Sequence, residues 1–133
     1  MRIIILKGAD NVGKSTVLNK VFNELISFYS VTHTPKRELG ASINRDFESI
    51  VTLKDKRKVA FFTMGDLEKE LEEGIERYKY LDCEVLIVAV NSQHVDLLNK
   101  IIVSNPHNII DKSRPIRNDT SMWKDVGHIL SLI

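Results

Sequence analysis

The chain has 133 residues, 43% of them apolar, which suits one interior and predicts a single domain over 1–133. Lys and Arg number 19 against 18 Asp and Glu, a net charge of +1, so no bulk field calls for nucleic acid or an anionic membrane. The single cysteine excludes a disulfide scaffold, and the longest apolar runs fall far short of the ~20 residues that span a bilayer, so a soluble, cytoplasmic protein is expected.

From the amino terminus, Arg2 to Lys7 is a β-branched run stopped by Gly8, long enough for a buried strand and too short for a helix. Between Lys14 and Tyr29 the apolar residues Val17, Leu18, Val21, Phe22, Leu25, Ile26, Phe28 and Tyr29 recur at helical spacing and predict one amphipathic helix. Val31 to Thr34 is β-prone and cut by Pro35, after which a polar loop runs through Asn44. Phe47 to Leu53 and Lys58 to Phe62 read as strands, and the polar tip Lys54-Asp55-Lys56-Arg57 between them predicts a hairpin.

Asp66 to Leu81 carries the stripe Leu67, Leu71, Ile75 and Tyr78, with acids early and Arg77 and Lys79 late, the charge order a helix dipole prefers; Glu73 and Arg77 stand one turn apart. Glu84 to Val90 is a continuous apolar run of the kind found in central strands covered on both faces. Val95, Leu98, Ile101 and Ile102 predict a helix ending before Asn105-Pro106, and His107 to Ile110 a short strand. Trp123, Val126, Ile129, Leu130 and Ile133 predict a terminal helix starting near Thr120 or Ser121, with Trp123 in the core. Strand and helix alternate, so the expected fold is an α/β three-layer sandwich with a mostly parallel sheet and an antiparallel hairpin strand.

Between the first strand and the first helix stands Gly8-Ala9-Asp10-Asn11-Val12-Gly13-Lys14-Ser15, followed by Thr16, which fits G-x-x-x-x-G-K-[ST]. Small residues at this spacing let a loop wrap back so that several backbone N–H groups face inward, while the helix N-terminus adds positive partial charge. A polyphosphate fits such a cavity, with Lys14 reaching its outer phosphates and the Ser15 hydroxyl ligating Mg²⁺. The segment resembles that of the P-loop nucleoside triphosphatases and kinases. The resemblance covers Arg2 to Tyr29 and implies a nucleotide held by Gly8, Asp10, Asn11, Val12, Gly13, Lys14, Ser15 and Thr16.

It further implies an acid at the end of another core strand, where it holds Mg²⁺ or orients water. Thr63-Met64-Gly65-Asp66 follows the Lys58 to Phe62 strand, and Asp66 is the candidate, sharing the metal with Ser15. The D-x-x-G and N-K-x-D signatures of GTPases are missing, the second being replaced by Asn91-Ser92-Gln93-His94, so guanine specificity is unsupported.

Thr34-Pro35-Lys36-Arg37-Glu38 is similar in order and spacing to a segment of thymidylate kinases. That resemblance implies Arg37 or Lys36 facing the transferred phosphoryl group and Glu38 the metal. The D-R-[YFH] signature of those kinases is absent, Asn44-Arg45-Asp46-Phe47 being a scrambled version of it. In the basic stretch Lys112 to Arg117, Arg114 or Arg117 could supply an arginine to the γ-phosphate. The four histidines and Cys83 show no metal-ligand spacing.

Residues 1–58 carry +5 and the remainder −4, yet no aromatic and basic interleaving supports a nucleic-acid partner. So short a chain leaves little room for an acceptor-binding insertion and lid. Hydrolysis of Mg-ATP is therefore the first expectation. The alternatives are a kinase for a small acceptor, and a nucleotide-gated module that binds a protein partner and uses 37–46 and 64–68 as switches.

Overall fold

The computed structural model describes residues 1–10, 12–41, 45–65, 67–112 and 119–133. The chain is α/β, with seven strands in one mixed sheet and four α-helices. In chain order come β1 (Arg2–Gly8), α1 (Lys14–Glu24), a π-helical segment (Leu25–Tyr29), β2 (Ser30–His33), β3 (Arg37–Glu38), β4 (Phe47–Leu53), β5 (Lys58–Phe62), α2 (Glu68–Tyr80), β6 (Val85–Asn91), α3 (Val95–Ser104), β7 (His107–Asp111) and α4 (Asp119–Ser131).

The sheet runs β2-β4-β5-β6-β1-β7, and β3 pairs with the start of β4. The pairs β5–β6, β6–β1 and β1–β7 are parallel, whereas β4 runs against β2, β3 and β5. The sheet is thus mixed, with β4 the strand that runs against its neighbours. The hairpin, closed by four residues from Lys54 to Arg57, turns β4 around, and β2 and β3 both attach to its outer side.

Side chains alternate across the sheet with the period of two that a pleated strand imposes. Ile4, Leu6, Val59, Phe61, Val85 and Ile87 pack with Val17, Leu18, Val21 and Phe22 of α1 and Met122, Val126 and Ile129 of α4. Their sequence neighbours Ile3, Ile5, Ala60, Phe62, Leu86 and Val88 pack with Leu71, Ile75 and Tyr78 of α2 and Leu97, Leu98 and Ile101 of α3. Helices therefore cover both faces, and every residue of β6 is buried, as its unbroken apolar run requires.

One departure from the expected helices has a physical cause. The helix from Lys14 changes to π winding at Leu25, and the wider turn breaks the 3.6-residue period. Leu25 stays buried while Phe28 and Tyr29 leave the stripe, 62% and 53% exposed. Arg77, which still feels the charge of its helical neighbour Glu73, also takes a tertiary partner, Glu48 of β4 at 2.7 Å. No helix among the described residues is long and apolar enough to cross a membrane.

Candidate functional site

The register gathers loops at one edge of the sheet. Gly8 stands opposite Asn91, Lys7 opposite Asp111 and Phe62 opposite Val88, so the carboxyl ends of β1, β5, β6 and β7 lie together. Because β4 is antiparallel, its amino end comes to the same edge, with Glu48 opposite Phe62. Asp46 is thereby delivered beside residues that follow the parallel strands.

The loop from Gly8 is built for close approach. A Cβ on Gly8 would sit 2.4 Å from the Lys112 carbonyl oxygen and 2.9 Å from Val12 Cγ2, so only glycine fits there. Gly13 adopts φ 94°, ψ 25°, a left-handed turn that starts α1 without a β-carbon penalty. α1 has no side-chain cap and no acid in its own first turn, leaving its leading N–H groups without an anionic cap from their own helix.

Lys14 folds back over the loop, its Nζ donating to the carbonyls of Gly8 at 2.9 Å and Ala9 at 2.7 Å. Opposite, β6 braces the loop. Asn91 Nδ2 donates to Asp10 Oδ1 at 2.7 Å, the Ser92 N–H donates to the Gly8 carbonyl at 3.0 Å, and Asn91 is buried. Val12 is buried, while Thr16 is half-buried on the first turn of α1.

Ser15 points at a residue the sequence reading did not single out. Its Oγ donates to Asp46 Oδ1 at 2.9 Å, and the buried Thr63 Oγ1 donates to the same oxygen at 3.0 Å. Thr63 is fixed in turn by the N–H of Phe47, 2.9 Å from its Oγ1, and by its own N–H on the Phe47 carbonyl at 3.1 Å. A carboxylate thus joins the first turn of α1 to the ends of β4 and β5.

No known family model, curated protein or solved structure matches this chain. What the side chains can do follows from their own chemistry. Ser15 Oγ, the Asp46 carboxylate and Thr63 Oγ1 are hard oxygen donors, the kind Mg²⁺ accepts, and beside them lie a lysine and the amides of a helix start, which favour anions.

Lys36 and Arg37 go to opposite faces of the sheet. Lys36 packs on the α1 face, its ammonium 4.4 Å from the Phe47 ring centroid and 5.1 Å from that of Phe22, and it donates to Asn19 Oδ1. Asn19 Nδ2 in turn donates to the carbonyls of Ser15 at 2.8 Å and Arg45 at 3.0 Å. Burial pushes the Lys36 ammonium below the usual lysine range, and the Arg45 charge adds to that shift.

Arg37 instead pairs with Glu48 through Nε at 2.6 Å. Glu48 also accepts from Arg77 at 2.7 Å and from Tyr78 Oη at 2.8 Å, so the structure gives Arg37 a role in tying β3 and β4 to α2. Glu38 is exposed in β3, opposite Phe47. Lys112 is spent internally, its Nζ 2.7 Å from Asp125 of α4 and its side chain buried. Asn11, Asp66, Arg114 and Arg117 lie outside the described residues. Trp123 corrects the expectation of a core residue: it is 43% exposed, with Lys20 Nζ 5.9 Å from its ring centroid.

Proposed function

We propose that the chain is a small P-loop ATPase, in which residues 8–16 bind Mg-ATP and its γ-phosphoryl group passes to water. The observation that carries this reading is the meeting at one sheet edge of the Lys14 loop with the Ser15–Asp46 hydrogen bond. Helices on both faces of a sheet that opens with strand, glycine loop and helix support a P-loop fold as well.

In this reading the amides at the start of α1 and the Lys14 ammonium bind the phosphates, Lys14 exchanging its carbonyl partners for phosphate oxygens. Ser15 and Asp46 would hold Mg²⁺, which when bound offsets phosphate charge, and Thr63 orients the Asp46 carboxylate from behind. A water oxygen bonds to the γ-phosphorus as the bond to the β–γ bridging oxygen breaks, giving ADP, phosphate and a proton released to solvent. Asp46 here takes a metal-holding part beside Ser15; Asp66, the acid the resemblance implies for that part, lies outside the described residues.

The test is a thermal-shift panel of ATP, GTP and their diphosphates with and without Mg²⁺, joined to phosphate release. Mg-ATP raises Tm and yields phosphate in the wild type, and Lys14→Ala abolishes both. A Lys14→Ala variant that binds and turns over ATP like the wild type overturns the reading.

Transfer to a small anionic acceptor is favoured by one observation: Lys36 and Arg45, two cations close enough to interact, are bridged by Asn19 to the first turn of α1. ADP formation that depends on an added nucleoside monophosphate would select this second reading.

A further inference from the structure

Resting on the nucleotide reading above, we infer that the exposed indole of Trp123, on α4 where it borders α1, is the stacking platform for the nucleobase.

Trp123 is the chain's only tryptophan, and it is 43% exposed although Met122, Val126 and Ile129 of the same helix are buried against the sheet. An indole left this open on a helix that has a core to join gives up burial that Met122 and Val126 obtain, and a flat partner would restore it. Its place is set by two anchors. Lys20 of α1 lays its ammonium 5.9 Å from the ring centroid, so the indole borders α1. Lys20 is one turn beyond Thr16 on the same face of α1, and helical side chains lean toward the N-terminus, which carries the Lys20 ammonium and the ring beside it back toward Thr16.

The second anchor holds α4 against the loop itself. The Lys112 carbonyl oxygen would lie only 2.4 Å from a Cβ on Gly8, the Lys112 N–H donates to the Lys7 carbonyl at 2.7 Å, and its buried ammonium pairs with Asp125 of α4 at 2.7 Å. The helix that carries Trp123 is thereby fixed to the start of the phosphate-binding loop through one residue. A triphosphate held at the start of α1 would extend its sugar and base away from Lys14, and the Trp123 indole beside Lys20 offers that base an aromatic surface. Stacking accepts any base, so this surface supplies affinity for a purine nucleotide over bare polyphosphate without choosing between purines.

The experiment uses the indole as its own reporter. ATP quenches or shifts the emission of the wild-type protein, whereas inorganic tripolyphosphate, which fills the phosphate loop and has no base, leaves it unchanged. Trp123→Ala raises the Kd for ATP by about tenfold or more without changing that for tripolyphosphate, and Trp123→Phe restores most of the loss.

If ATP raises Tm through Lys14 but leaves Trp123 emission unaltered, or binds Trp123→Ala as tightly as wild type, the base lies elsewhere; this inference falls and the ATPase reading stands. If no triphosphate raises the wild-type Tm, both fall. The emission titration is made on the unaltered protein, so misfolding of a variant cannot decide the result.

Discussion

Asp46→Asn separates the two roles that Asp46 can have. In the folded protein Asp46 Oδ1 accepts from Ser15 at 2.9 Å and from Thr63 at 3.0 Å. Asparagine keeps an oxygen able to accept both bonds and removes only the charge, so the expected stability change is under about 1 kcal/mol. Alanine removes the acceptor. Ser15 can turn to water, but Thr63 is only 3% exposed, and a buried donor left without its acceptor costs about 1–3 kcal/mol.

With an unfolding entropy of about 2.1 cal/mol/K per residue, a chain of 133 residues moves its Tm by about 4 °C per kcal/mol. Asp46→Ala should therefore melt ~4–11 °C lower, and Asp46→Asn within ~4 °C of the wild type. For nucleotide binding the two variants should behave alike, because both lose the charge that would hold Mg²⁺. Loss of even an outer-shell partner weakens metal sites by about 10–100-fold, so the Kd for Mg-ATP rises by at least about tenfold when Asp46 itself is changed. The assay is calorimetric titration of Mg-ATP and of metal-free ATP, with scanning calorimetry for stability. An Asp46→Asn protein that binds Mg-ATP with wild-type affinity and Mg²⁺ dependence would refute the metal role and leave Asp46 as a structural link between α1, β4 and β5.

Gly8→Ala places a methyl group 2.4 Å from the Lys112 carbonyl oxygen, a backbone atom that can yield only by moving the end of β7; destabilisation of about 1–3 kcal/mol or more is expected, read by urea unfolding. Tyr78 supplies a pH test. Its phenol is held above the ordinary tyrosine range, first by burial and then by the Glu48 carboxylate it bonds, with Arg77 opposing the shift. The folded protein keeps Tyr78 neutral where the unfolded chain ionises it. Its contribution is complete below the ordinary value of 10.0 and is lost as pH rises above it, at up to ~1.4 kcal/mol per pH unit. Tyr78→Phe should flatten the alkaline fall of stability relative to the wild type, and identical slopes would show that the phenol does not carry it.

Much of the fold can be read along the chain. β1, β4, β5 and β6 lie where the β-branched, alternating and continuous apolar runs place them, because each run is a local consequence of which faces are buried. The π segment and β3 do not announce themselves. The first continues a helical sequence with a different winding, and the second is two exposed residues that become a strand only by pairing with β4. The spacing of Trp123 with Val126 and Ile129 points it inward, yet Met122 fills that core position, and the indole one residue on borders Lys20.

For the candidate site, the chain by itself specified the loop from Gly8 to Ser15 with its flanking strand and helix, since turn chemistry, helix start and hydrophobic period act over a few neighbouring residues. Which acid faces Ser15 is not a local property. Asp46 lies 31 positions from Ser15 and reaches it because β4 runs backward, and Thr63 joins them because β4 pairs with β5. Arg37 and Lys36 are adjacent in sequence, but on a pleated segment neighbours face opposite sides, and the sheet's two faces gave Glu48 to one and Phe47 to the other. Strand direction and sheet face are fixed only when distant segments pair, and that pairing placed the carboxylate at the loop.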